Sequence, residues 1–374
     1  MLDPVFEFFH WLFTGIKAFF VRVFSILLFP FVWLRNLYQR SGGILKAIIA
    51  IIVLCILVPY AFFFWNIAWT RGFDPDYTAK FDFKQIEYQA GEPVTVSGES
   101  SSVRTCGRSS IVDVASELID FNVNQNTWIS ATLVYKLGLF GIPWDSTPWM
   151  DNKASFQRGV HRAIDSTLIE MKDALGRARG TSQLDKNLNT ALSNTQISAY
   201  NWYVGLNPLG PKQTAWSSYR NAKQHLDIYN SNLEKCEALF DARADNLQVF
   251  INRIASEIGS TAAEIQKRVE ASDAGWFDTY ADNQFMEAKG QLYGYLGILR
   301  AARVDFQDVV ETKRLDKVWS EMDSQILHAV QLDPLLVSNG GEDALMFPSH
   351  LTTMGFYLLR ARTKLTEMRD TLKN

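Results

Sequence analysis

Cys106 sits in SSVRTCGRSS between Arg104 and Arg108, and flanking cations are the setting that lowers a thiol pKa and makes it nucleophilic. A catalytic thiol also needs a base, and no histidine stands where the sequence identifies one. The five histidines, His10, His161, His225, His328 and His350, lie far apart, with neither an H-E-x-x-H nor a paired H-x-H arrangement. No metal site is expected from such spacing. Cys106 has a second use, as a disulfide partner for Cys236. Cys236 is read on the apolar face of a helix, where a small buried hydrophobe is usual, so two unpaired thiols are the alternative. The remaining cysteine, Cys55, lies in an apolar stretch, and no C-x-x-C pair occurs. No G-x-S-x-G, Walker or Rossmann glycine pattern stands at a strand–helix junction. Glu342 and Asp343 in NGGED read as a solvated loop before the last helix. No catalytic residue and no cofactor are therefore assigned.

Two aromatic, proline-containing segments are more informative. LFGIPWDSTPWM holds Trp144 and Trp149, and NWYVGLNPLGP holds Trp202 and Tyr203. Rigid loops bearing large amphipathic rings suit contact with a partner protein, a glycan or a membrane surface. The competing reading is that the rings close the ends of a helical core.

The elements that carry these loops begin with an anchor. From Ala47 to Trp69 the chain reads AIIAIIVLCILVPYAFFFWNIAW, uncharged and long enough for a helix to cross the hydrocarbon core. Trp65 and Trp69 at one end and Lys46 at the other are membrane-interface residues, and Pro59 predicts a mild kink. Upstream, Asp3, Glu7, His10, Thr14 and Lys17 recur at three and four, drawing a polar stripe on an otherwise apolar helix. An interfacial helix is favoured over a second span, because Lys17 and Arg22 are costly at the bilayer centre. Pro30 is expected to end or kink it. A cleavable signal peptide is not expected, since Asp3 and Glu7 occupy the region that should be basic. Arg35, Arg40 and Lys46 precede the span, whereas only Arg71 follows it, beside Asp74 and Asp76. The positive-inside rule then puts the C-terminal part outside the cytoplasm.

Residues 70–108 alternate apolar and polar positions between Gly91, Pro93 and Gly98, predicting an extended linker or cap with one or two short strands. Beyond it, helical periodicity dominates. Phe156, Val160, Ile164, Leu168, Met171 and Leu175 mark a helix with Asp151 as a candidate cap. Leu184, Leu188 and Leu192 begin another, and Tyr219 through Cys236 to Phe240 mark a third. Leu247 to Ile258, prolonged by Ile265 and Val269, gives a fourth. The stretch 279–332 lacks proline, but Gly290, Gly294 and Gly297 predict either close packing or a break. A last helix follows Pro348. The fold class is all-α and membrane-anchored: a transmembrane helix plus a periplasmic helical bundle, divided as 1–40, 44–69, 70–108 and 109–374. With a net charge of −3, nucleic acid is not an expected partner.

A basic, aromatic N-terminus, one clear span, the segment FDPDYTAKFDF and a long helical domain together resemble a family of uncharacterised bacterial inner-membrane proteins, known only as a domain of unknown function. The resemblance covers nearly the whole chain and brings no catalytic residues with it. It implies the bacterial inner membrane, with the C-terminal domain in the periplasm. Three functions compete. The leading one is a membrane-tethered interaction or scaffold protein, its partners the lipid bilayer and an envelope protein or a second copy of itself. The others are an envelope enzyme acting on peptidoglycan or lipid through acids gathered by folding, and an accessory subunit of a membrane transport complex.

Overall fold

The uncharged run that starts at Ala47 lies, as far as Ile67, in α2 (Gly43–Ile67), which is apolar all round, as a helix in lipid must be. In the computed structural model it is the one described helix long and apolar enough to cross a bilayer unbroken, and little of it is buried against protein. The structure describes residues 3–67, 70–86, 88–94, 105–139, 141–144, 147, 150–177, 184–206, 209–271, 278, 280–340 and 349–373. Trp69, Trp149, Gly98, Glu342, Asp343 and Pro348 lie outside them. Upstream, α1 (Asp3–Arg40) passes through Pro30 instead of ending there. Its pieces Phe13–Ser25 and Leu28–Arg40 are bent by 40°. Pro30 has no N–H for the carbonyl four residues earlier, at position 26, so the bend falls one turn before the proline.

Contacts divide the chain into two compact units, Met1–Phe62 and Phe63–Asn374. The large unit is built on helices: α3 (Ser110–Asp120), α4 (Asn152–Glu170), α5 (Lys186–Thr195), α6 (Ala215–Glu234), α7 (Ala244–Ala271), α8 (Ala281–Asp305), α9 (Gln307–Thr312), α10 (Asp316–Gln331) and α11 (His350–Lys373). Its described strands form two antiparallel ribbons, β1 (Pro93–Val94) with β2 (Thr105–Cys106) and β3 (Val204–Leu206) with β4 (Leu209–Pro211). At 75% helix, with no closed sheet, the protein is all-α.

Local chemistry explains several helix starts. The side chains of Ser109, Asp185 and Thr214 accept backbone N–H groups in the first turns of α3, α5 and α6. Asp151 precedes α4 but makes no such bond, because its backbone is already helical there. The third periodic stretch stops at Glu234: Cys236 adopts φ 59° and lies past the helix end, half-buried in the turn, not on a helical face.

α8 is the central element, packing on α3, α4, α10 and α11, while α7 pairs with α11 and α5 with α6. Its Gly290 and Gly294 bring α4 close instead of breaking the helix, and Gly297 faces Tyr77 and Val114. A Cβ on Gly290 would lie 2.0 Å from the Phe156 carbonyl oxygen, and one on Gly159 would lie 2.0 Å from that of Glu287. Breaks in the 279–332 stretch fall at Phe306 and at Arg314, whose φ is 54°. Residues 70–108 do more than link. Tyr77 and Ala90 enter the core, and the Tyr77 ring stacks on Tyr293 at 4.6 Å while its hydroxyl donates to the Tyr293 carbonyl. Alternation reveals which residues face inward but not whether a segment docks.

Candidate functional site

The last residues of α2 belong to the large unit and are held by it. Phe63, Asn66 and Ile67 are buried. The Trp144 ring lies 4.0 Å from that of Phe63 and meets Phe64 edge-on at 6.2 Å. Thr127 Oγ1 donates to Asn66 Oδ1 at 2.8 Å, and the buried Lys153 ammonium donates to the Asn66 carbonyl. A cation on a C-terminal carbonyl complements the helix dipole. Burial, with the nearby Arg71 charge, brings the Lys153 pKa down to about 8. Beyond the helix, Asn126 accepts the Arg71 N–H and donates to its carbonyl at 2.8 and 3.0 Å.

Beside this attachment is a pocket of about 260 Å³ lined by Tyr135, Leu137, Trp144, Asp151, Arg158 and Tyr200, among others. Burial pushes the Asp151 carboxyl up to about 6; a hydrogen bond with Asn283 opposes the shift and the Asp282 charge adds to it. A carboxyl in that range exchanges its proton near neutral pH. Arg158 donates to Ser155 Oγ at 2.9 Å and faces Glu287 at 3.9 Å, so its charge is shared within the fold. Asp151 is the one acid among the described residues lining this pocket.

The second aromatic segment is bonded to residues 128–132, and Ile129 and Tyr200 line the same pocket as Trp144. Trp128 Nε1 donates to the Ala199 carbonyl at 2.9 Å, Trp202 Nε1 to that of Thr132 at 3.0 Å, and the Tyr203 hydroxyl to that of Ala131 at 2.9 Å. Ser130 Oγ adds a bond to the Asn201 carbonyl at 3.2 Å. These bonds lace 128–132 to 199–203. Trp144, expected on an interaction surface, is only 3% exposed, because its ring is drawn inward onto Phe63. Trp202 is half-buried, while Tyr203 is exposed. The outward side chains are others: Leu133, Leu137, Ile142, Val204 and Leu209. Sequence reasoning passed over them for want of helical period, yet apolar residues in Gly- and Pro-rich turns are the signal that marks them. At the interface positions, Trp65 is exposed with the Arg71 guanidinium 5.1 Å from its ring, and the Lys46 ammonium lies 5.7 Å from the Tyr38 ring.

Cys106 and Cys236 are bonded to each other, with Cα atoms 5.3 Å apart. The segment after Cys106 is fixed by Asp305, the buried last residue of α8, which accepts at the start of α3 from Ser109 Oγ at 2.6 Å, Ser110 N at 2.7 Å and Ile111 N at 3.0 Å. Burial lifts the Asp305 pKa to about 6 against the pull of those bonds. Asn230 of α6 bonds both backbone groups of Ser109. Together these bonds tie the end of α8, and α6 through Asn230, to the start of α3.

The four histidines of the large unit each have partners of their own. His161 packs on Tyr219 at 4.2 Å with Nε2 2.9 Å from the Thr195 carbonyl oxygen, and burial depresses its pKa. His225 Nδ1 lies 3.0 Å from Asn187 Oδ1, His328 stacks with Tyr357, and His350 Nδ1 accepts from the Ser338 N–H at 3.1 Å. Among the described residues, no three His, Cys, Asp or Glu side chains group so as to hold a metal.

No match was found among curated proteins or among solved structures. A family model described as an uncharacterized protein conserved in bacteria (DUF2333) matches residues 115–275 and 266–374, more than half of the chain.

Proposed function

The chain belongs to this family of uncharacterized proteins conserved in bacteria, and from that premise we propose that it is a membrane-tethered interaction or scaffold protein of the cell envelope. α2 crosses the inner membrane, and the large helical unit stands in the periplasm, where it recruits an envelope protein or a second copy. The observation that carries the reading is α2: twenty-five residues, apolar on every side and almost unburied, joined to a helical unit with a large core of its own. Two further features support it. The basic residues Arg35, Arg40 and Lys46 precede the helix, as the positive-inside rule asks of a cytoplasmic flank. A disulfide between Cys106 and Cys236 suits an oxidising compartment.

The test has two arms. A phosphatase fused after Asn374 is active and a fluorescent reporter at the same place is dark if the topology is right; the opposite pattern reverses the orientation. Purification of the full chain from membranes in mild detergent, followed by mass spectrometry, then recovers a stoichiometric envelope partner or an oligomer. Recovery as a lone monomer counts against the scaffold.

A further inference from the structure

Segments 127–142 and 198–213 contain two lysines, Lys136 and Lys212, and no acid. Both lysines are exposed. So are Leu133, Leu137, Ile142, Tyr203, Val204 and Leu209, with Leu209 79% and Leu133 66% exposed. Apolar side chains gathered on loop tips mark a surface that meets something other than water.

Its place in the fold identifies the occupant. The two segments are laced together by the bonds from Trp128, Ser130, Trp202 and Tyr203. Leu137 lines the same pocket as Trp144, and Trp144 packs on Phe63 and Phe64. Those phenylalanines are in the last turns of α2, beside the exposed Trp65. A helix that leaves the hydrocarbon at Trp65 holds these residues at the headgroup layer, and loops packed against them reach the same depth. The chemistry agrees: protruding Leu, Ile, Val and Tyr suit the boundary between headgroups and acyl chains, and two exposed lysines suit anionic headgroups, the nearby Asp151 being buried.

We propose that the exposed Leu133, Leu137, Ile142, Tyr203, Val204 and Leu209 are seated in the headgroup layer of the bilayer that α2 crosses, with Lys136 and Lys212 on anionic lipid. The large unit is then held to the membrane by its loops as well as by its tether. This rests on the reading of α2 as a span, so the experiment separates the two.

A benzophenone-bearing residue is placed, one site at a time, at Leu54, Leu137, Leu209 and Leu239 of the full-length chain, in nanodiscs of phosphatidylethanolamine and phosphatidylglycerol. Leu239 lies past the far end of α6, a helix about 30 Å long whose start follows the β3–β4 ribbon. The expected result is lipid adducts at 54, 137 and 209, and their loss at 239. Lipid at 54 with none at 137 and 209, or protein adducts there, overturns the seating and leaves the span standing. Equal lipid labelling at 239 overturns it too, since the contact is then not confined to the loops. No lipid adduct at 54 removes the span and the seating together.

Discussion

Trp144 and Tyr203 come from similar sequence settings, each an aromatic ring near prolines, and the fold gives them opposite environments. The Trp144 indole is buried on Phe63, so Trp144→Ala is expected to cost about 3–5 kcal/mol, the usual range for deleting a large buried ring. Thermal unfolding of the full-length chain in nanodiscs measures it as a steep fall in midpoint. Tyr203→Phe removes one exposed hydroxyl bond, to Ala131, and is expected to cost about 1 kcal/mol or less. Equal shifts for the two substitutions would put Trp144 back on the surface. The types of these residues were readable in the sequence; their direction was not, because a loop has no period from which to infer a facing side.

Among the elements, the glycine spacing of α8 offered two outcomes, and packing selected one. A Cβ at Gly290 meets the Phe156 carbonyl oxygen at 2.0 Å, against backbone that cannot yield cheaply. Gly290→Val is therefore expected to force α4 and α8 apart and to lose about 1–3 kcal/mol or more, as overpacked cores do. Gly355 in α11 is the control: a Cβ there meets nothing closer than Ile265 Cγ2 at 3.6 Å. Gly355→Ala should be neutral or gain about 0.4–1 kcal/mol by restricting the unfolded chain. Urea unfolding of both variants reads the contrast directly, and a harmless Gly290→Val would contradict the close α4–α8 approach. The helices with strong apolar periodicity, α4 and α7 among them, followed the sequence reading. Their ends did so less well: α6 stopped at Glu234 because Cys236 turns left-handed there, a tertiary constraint that no local pattern announces.

For the whole molecule, the Cys106–Cys236 bridge joins positions 130 residues apart and so ties the segment following the apolar helix to the turn after α6. Closing a loop of that length stabilises by about 5 kcal/mol in the chain-entropy account, so reductant or Cys236→Ser is expected to lower the unfolding free energy by up to that amount. Non-reducing denaturation followed by thiol labelling checks the bond: labelling of Cys106 and Cys236 without reductant excludes it. What residue order alone fixed here was whatever depends on local composition and period: an uncharged stretch long enough to span, basic residues ahead of it, and amphipathic stripes that must bury one face against one another. The same information left open which way Trp144 points, whether residues 70–108 dock, how Gly290 is used and which cysteine meets which. Each of these depends on contacts between residues distant in the chain, and such contacts exist only once the helices have packed, since burial and close approach are properties of pairs of surfaces and not of any one segment.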